Sequence, residues 1–283
     1  MRSEIKKILL RDGISLHMKI FEVNSPQWLI VTHGVGEHLE RHQFLTQLFG
    51  DSLNILFYDL RGHGKSGGKK AYIRKFFSYV KDLQEVINFL KIDYRMDRHI
   101  LFGHSMGALI TASYIRFLAK KSYYPEKLFL SSPPVGVAGP LGKIINPSPN
   151  SIISKLAEFP LSIAISGLVD LNRLSHDPQV KSQYLQDPLV LKKIHTKLLL
   201  GLVHHAKEVF SGPIQTHCPS FAAIGTEDLV VDVNIFRRYF SEIDQKFKVY
   251  YGEGAYHELH NEIERFRTPY LRFLKSSLLE KEN

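Results

Sequence analysis

The sequence predicts an α/β protein: a mostly parallel central sheet with helices on both faces, interrupted once by a helical insertion. Three observations carry this expectation. Short apolar runs at residues 28–31, 55–58, 100–102 and 128–130 alternate with stretches of helical spacing at 76–89 and 108–118. Those runs do not alternate apolar with polar, which is the pattern of strands buried on both faces. The rhythm stops between Ser131 and Pro213 and then resumes, with a strand at 221–224, a helix at 233–240, a strand at 247–251 and a helix at 262–279.

Before the alternation begins, residues 5–10 and 14–23 read as a hairpin around the Asp12-Gly13 turn. Inside the interruption there is a Pro/Gly-rich entry (Pro133-Pro134, Gly139-Pro140, Pro147, Pro149), followed by apolar helical stretches over 152–168 and 189–210. An insertion of this length in an α/β sheet reads as a helical cap over the functional edge. The expected organisation is a core of residues 1–131 and 213–283 with a cap (lid) of residues 132–212.

Composition narrows the function classes. Of 283 residues, 44 % are hydrophobic and 23 % charged, which excludes disorder, collagen and coiled coil. Lys and Arg outnumber Asp and Glu by 37 to 28, a net +9, but the basic pairs are scattered along the chain and form no dense stripe for nucleic acid. The single Cys218 excludes an internal disulfide and a thiolate-built metal site. Histidines at 33, 38, 42, 204 and 205 lack the spacing of a metal set, so neither metal nor cofactor is expected. The charged start Met1-Arg2-Ser3-Glu4-Ile5-Lys6-Lys7 leaves its apolar run too short for a secretory segment, and no run of 18 apolar residues occurs. A cytoplasmic protein is the expectation, with oligomeric state left open.

The motif that carries chemistry is Gly103-His104-Ser105-Met106-Gly107, set between a strand and a helix. A sharp strand-to-helix turn lifts a serine hydroxyl over the sheet edge, and small residues two before and two after let the backbones pass. Gly64-Lys65-Ser66-Gly67-Gly68 fits the same pattern without the strand and helix around it and reads as loop. The GxGxxG match at Gly62 and the partial P-loop ending at Ser66 fail for related reasons: no helix opens there, and Asp59 stands where the P-loop needs glycine. A serine nucleophile needs a base and the base an orienting acid. Asp228 follows the strand at 221–224 and is the chosen acid, with Glu227 and Asp232 as alternatives. His257 follows the strand at 247–251 and is the chosen base. The loop Thr32-His33-Gly34-Val35-Gly36-Glu37-His38 can aim a backbone N–H at a developing oxyanion; with the residue after the nucleophile this names Val35 and Met106.

At these residues the chain resembles the serine-hydrolase branch of the α/β-hydrolase superfamily, and within it monoacylglycerol lipases and bacterial lysophospholipases. The likeness rests on His33-Gly34-Val35-Gly36-Glu37-His38-Leu39-Glu40-Arg41, Asp59-Leu60-Arg61-Gly62-His63-Gly64-Lys65-Ser66, the Ser105 motif and Ala255-Tyr256-His257-Glu258-Leu259-His260-Asn261-Glu262, with a weaker match at Asp187-Pro188-Leu189-Val190. It runs from Thr32 into the last helix; Ala108 stands where many relatives have a second glycine. The resemblance implies the α/β-hydrolase fold and hydrolysis of a long-chain monoacyl ester, monoacylglycerol to fatty acid and glycerol, through an acyl-enzyme. It also implies head-group contacts from Glu37, Arg41 and His260; otherwise Glu37 and Arg41 pair to stiffen the first helix and His260 is an ordinary helix-start residue. A lysophospholipase or general carboxylesterase is the alternative enzyme, and a ligand-binding protein on a hydrolase fold the non-enzyme one. The apolar stretches 152–159 and 197–203 exceed what a cap of this size buries, so peripheral membrane contact through the cap is expected, unless they pack the cap onto the sheet edge.

Overall fold

The computed structural model of the chain describes residues 2–159, 161–167 and 170–280. The hairpin forms as β1 (Arg2–Leu9) and β2 (Ser15–Glu22), followed by β3 (Gln27–Thr32), α1 (Phe44–Phe49), β4 (Asn54–Tyr58), α2 (Phe77–Asp93), β5 (Arg98–His104), α3 (Met106–Phe117) and β6 (Lys127–Ser131). After the insertion come β9 (Ser220–Gly225), α8 (Val233–Arg238), β10 (Lys248–Gly252) and α9 (Glu264–Leu279). Within the insertion lie α4 (Gly139–Ile145), α5 (Asn150–Glu158), β7 (Ala164–Ser166), α6 (Pro178–Gln186), β8 (Lys193–His195) and α7 (Thr196–Val209). The sheet has eight strands in the order β1-β2-β4-β3-β5-β6-β9-β10; β2 is antiparallel to both its neighbours, and the other pairings are parallel.

The unbroken apolar runs are strands with a core on each face. In β3, Trp28 and Ile30 face one core with Leu56 and Tyr58 of β4, while Leu29 and Val31 face the other with Ile55 and Phe57. The first core is closed by α2, α3 and α8, and the second by α1 and α9. Because the parallel strands run the same way, their C-terminal ends share one edge. Thr32 pairs with Gly103, His104 with Ser131, Ser131 with Ala223 and Gly225 with Gly252, so the loops after β3, β5, β6, β9 and β10 are neighbours.

Among the described residues, no strand of 132–212 joins the eight-stranded sheet. The stretch expected to be helical over 152–168 is helical only as far as Glu158, and Leu168 lies outside the described residues. Phe159 turns to φ −54° and ψ 134°, the extended backbone that a following proline imposes. The stretch 189–210 is helical only from Thr196; before it the chain is pulled out as β8, which pairs antiparallel with β7. The apolar expectation for 152–159 and 197–203 divides in the same way. Ile152, Leu156 and Phe159 are exposed, whereas Leu198 is fully buried and Leu199, Leu200, Leu202 and Val203 are half-buried. Among the described residues, no helix is long and apolar enough to cross a membrane.

The second GxSxG stretch is a buckle in the loop after β4. Ser66 is buried; its hydroxyl donates to the Asp59 carbonyl (2.6 Å) and accepts the His17 N–H (2.9 Å), tying the loop to β2. Removing a hydroxyl with two buried partners typically costs about 1–3 kcal/mol. Ser66→Ala should therefore lower the urea midpoint of unfolding at an unchanged slope. An unchanged midpoint would mean that the loop is held by other contacts.

Candidate active site

Ser105 sits between β5 and α3 with φ 52° and ψ −118°, a backbone that L-residues adopt only under strain, typically about 1–3 kcal/mol. The surrounding backbone holds it there. Its N–H donates to the Ser131 carbonyl (2.8 Å), and its own carbonyl accepts from Leu109 N–H (3.2 Å) at the start of α3. A Cβ on Gly103 would lie 2.4 Å from the Gly107 carbonyl oxygen, and one on Gly107 would lie 2.1 Å from that of Thr32. Glycine at both positions is a condition of the turn existing at all.

The loop after β3 lies against this elbow, since a Cβ on Gly34 would be 3.2 Å from Ser105 Cβ. His33 anchors the loop: its Nε2 accepts the Leu60 N–H (3.0 Å), so Nδ1 carries the proton and donates to the Gly34 carbonyl (2.8 Å). Burial pushes His33 down to about 3, so the ring is neutral. The Glu37 carboxylate accepts the Gly34 N–H (3.0 Å) and faces His42 Nε2 (2.8 Å) and His104 Nε2 (3.5 Å). Burial alone would raise Glu37, but His104, His42 and Arg41 hold it well below the usual carboxylate range. Asp59 joins this loop to the next by accepting N–H groups from Leu39 (2.8 Å) and Lys65 (2.7 Å). Val35 is half-buried in the glycine-flanked loop, and Met106 is the first residue of α3. Its N–H belongs to the first helical turn, where backbone donors have no partner within the helix.

Of the three carboxylates considered for the acid, Asp228 alone meets His257: Oδ2 lies 2.7 Å from Nδ1, and both residues are buried. The other oxygen of Asp228 accepts the N–H groups of Val230 (2.8 Å) and Val231 (2.9 Å), which fixes the carboxylate plane. Glu227 is exposed, and Asp232 caps α8 through Asn234 and Ile235 N–H. Because a carboxylate oxygen accepts, Nδ1 of His257 donates and Nε2 is left to receive a proton. Burial works to lower the His257 imidazole, but Asp228, with Glu258 and Glu37 beyond it, outweighs burial and holds it above the ordinary value. Ser105 Oγ makes no hydrogen bond among the described residues. Hydrogen bonds of this kind are often long in unliganded structures. The ring of His104, next to Ser105 in the chain, lies 5.2 Å from the ring of His257.

Glu37, Arg41 and His260 come together here, but all are packed into the protein. The pairing of Glu37 with Arg41 does not form: Arg41 Nη2 binds Glu258 (2.7 Å) and its guanidinium lies over Tyr184, while Glu37 takes His42. The reason is reach. Glu258 belongs to the His257 loop and meets Arg41 across the gap between the two loops. His260 stacks on Phe44 (5.0 Å, 16°), lies 4.9 Å from His104, and neither of its ring nitrogens is partnered among the described residues. Burial pushes it well below the usual imidazole value.

Four contacts were missed in the sequence. Glu262 is buried and accepts N–H groups from Tyr256 (2.8 Å) and His176 (3.0 Å), joining the His257 loop to the insertion. His38 binds Asp187 (2.7 Å), and Leu191 N–H donates to the Gly36 carbonyl (2.8 Å), so the insertion also clasps the loop after β3. The signal was present in the repeated Asp-Pro steps at 177–178 and 187–188, but nothing local to them identifies His38 or Glu262 as partners.

The chain is similar to several known proteins. An uncharacterized abhydrolase domain-containing protein of Dictyostelium discoideum is 25 % identical over all of this chain, which spans only 30 % of that relative's length. The monoacylglycerol lipase of Mycolicibacterium smegmatis is 28 % identical, with 84 % of this chain and 83 % of that protein covered. The crystal structure of the Paleococcus ferrophilus monoacylglycerol lipase superposes with a TM-score of 0.77 at 25 % identity, covering 93 % of this chain and 99 % of that one. Residues 24–264 match the family described as serine aminopeptidase, S33. The chain belongs to this family and is a hydrolase of the α/β-hydrolase fold.

Proposed function

We propose that the chain is a serine ester hydrolase acting on the carboxylic ester of a long-chain monoacyl lipid, monoacylglycerol before others. Ser105 is the nucleophile, His257 the general base and Asp228 the acid that orients it. The observation that carries this reading is the 2.7 Å hydrogen bond from His257 to Asp228 beside the strained Ser105 elbow. In the reaction His257 Nε2 takes the Ser105 proton as Oγ attacks the ester carbonyl. The N–H groups of Val35 and Met106 receive the oxyanion, and His257 returns the proton to the leaving alcohol. Water, deprotonated by the same imidazole, then releases the fatty acid from Ser105. Every step is proton transfer, nucleophilic attack or charge stabilisation by this chain's own groups.

Similarity to monoacylglycerol lipases supports the substrate class, and the local charges support the choice of head group. Glu258, hydrogen-bonded to the Arg41 guanidinium, and Glu37 nearby place two formal negative charges around that one cation. A neutral diol can donate to the carboxylates and accept from Arg41, whereas a phosphate meets like charge. Glu37 adds a second role by holding Gly34, and with it the loop that carries Val35. We read residues 132–212 as the cap over this edge, its exposed Ile152, Leu156 and Phe159 forming the face that meets lipid.

Ser105→Ala should abolish ester hydrolysis, with a loss of about 10³-fold or more, and leave circular dichroism unchanged. Ser66→Ala, measured below its unfolding range, should keep turnover within a few-fold of wild type. Activity of Ser105→Ala within tenfold of wild type would overturn the assignment.

Offered together with matched acyl chains, a monoacylglycerol should show a higher kcat/KM than a lysophosphatidylcholine. The reverse order would remove the head-group argument and leave the triad standing.

The base must be neutral to accept a proton, so kcat/KM should fall as pH drops through the raised His257 pKa. This places the acid limb above the ordinary imidazole value of about 6.5. In Asp228→Asn the largest opposing charge is gone and only Glu258 and Glu37 are left to counter burial, so the limb should move to lower pH while the plateau drops steeply. A limb that stays in place would separate Asp228 from the titration.

A further inference from the structure

A cavity lies away from Ser105, in the seam between the insertion and the sheet's helices. It holds about 630 Å³, within the range of small-molecule sites, and is lined from α2, α3, α5 and α7. Phe117, the last residue of α3, lines it; at 1.5 Å per helical residue it lies roughly 18 Å from the Ser105 elbow. The floor is aromatic: Phe76 and Phe77 lie beside the His205 ring at 4.9 and 5.9 Å, and Phe117 lies at 6.1 Å. His205 is held by Ser113 Oγ (2.5 Å), and burial pushes it down to about 4, so at neutral pH the ring adds no charge to the floor.

Two features of this cavity leave it open to a ligand. The first is Lys197, which is 9 % exposed. Its ammonium donates to the Phe159 carbonyl (3.1 Å) and makes no ion pair among the described residues. A buried ammonium with three donors and one neutral acceptor is a cation short of an anion. The second is Gly201, in the middle of α7, where glycine weakens a helix. A Cβ there would meet only the Cβ of Phe76, at 3.7 Å, which is ordinary contact. No close approach of backbones explains the glycine. Its effect is to leave open the space that a side chain would fill.

We propose that this seam is a binding site for a long-chain carboxylate, with the acid on Lys197 and the chain over Phe76, Phe77 and Phe117. A single negative charge suits it better than a phosphate, because Glu158 and Glu208 also stand at the rim against Arg74 and Lys75. Neither forms an ion pair with Lys197 among the described residues: Glu208 lies 3.3 Å from His205 and Glu158 3.4 Å from Ser154. The site is separate from the chemistry at Ser105, and a fatty acid would occupy it whether it came from hydrolysis or from outside.

The test is equilibrium dialysis of dodecanoate, with dodecanol and acetate as partial probes, on the full chain. Gly201→Leu fills the cavity with a better helix former, and Lys197→Met removes the charge while keeping the stem. To separate this site from the acyl path at Ser105, dialysis is repeated with a saturating monoacyl ester present on Ser105→Ala. Under that condition Ser105→Ala should still bind dodecanoate, more than tenfold tighter than dodecanol and without measurable acetate binding. Adding Gly201→Leu or Lys197→Met should weaken it at least tenfold. Gly201→Leu on the otherwise native chain should keep ester turnover within a few-fold, which distinguishes failure here from failure of the hydrolase reading. Equal binding by both variants, or equal binding of dodecanol and dodecanoate, would overturn the proposal.

Discussion

At the C-terminal edge of the sheet, backbone meets backbone with no room for a side chain, and the site depends on that closeness. A Cβ on residue 107 would come within 2.1 Å of the Thr32 carbonyl oxygen, and one on residue 103 within 2.4 Å of that of Gly107. Helix α3 can therefore begin directly over the end of β3 only while both positions are glycine. The same device recurs two strands away, where a Cβ on Gly225 would lie 2.2 Å from both the Ala255 and Tyr256 carbonyl oxygens. The first contact sets Ser105 beside the Gly34 loop, and the second lays the His257 loop across the end of β9 beside Asp228. Contacts this short between main chains leave little freedom, so the order of side chains along the edge follows from where the glycines stand.

This explains why so much was legible. Strands buried on both faces have continuous apolar runs, and β3, β4, β5 and β6 were found from those runs to within one or two residues. Glycine requirements are local, so the Ser105 elbow could be read from five residues. The choice among Asp228, Glu227 and Asp232 could not be made that way, because it turns on direction: one carboxylate faces inward to His257, one faces solvent and one caps α8. Nor could the partner of Arg41, since Glu258 is 217 residues away and no local spacing selects it over Glu37, four residues back. The short pair β7 and β8 escaped for a different reason. Three residues are too few to express a period, and neither strand is buried.

The insertion is tied to the two loops beneath it mainly by polar contacts. His38 with Asp187, Leu191 with Gly36, and Glu262 with His176 all end on the loops after β3 and β10. Hydrogen bonds of this kind contribute modestly in net terms but are costly to leave unmade when buried. A displacement of the insertion would therefore strand donors and acceptors in the same loops that position Val35 and His257. The register of those loops and the seating of residues 132–212 are physically one problem, which the sequence distributes over positions more than eighty residues apart.

Among the buried histidines beside Ser105, the environment itself argues which one carries the proton. His104 and His257 have their rings 5.2 Å apart in the same enclosed space, and burial acts on both. His104 is pushed down to about 3, with neither ring nitrogen hydrogen-bonded among the described residues, and His260 is pushed well below its usual value. His257 alone of these three is shifted upward, because its Nδ1 rests on Asp228, whose other oxygen is fixed by two backbone donors. Two neighbouring imidazoles are shifted apart, His104 down by burial and His257 up mainly by Asp228, a division that fits a neutral filler and the proposed base. That division favours His257 over His260 on physical grounds independent of any likeness to relatives, since His260 has no carboxylate hydrogen-bonded to its ring to offset the cost of charging it.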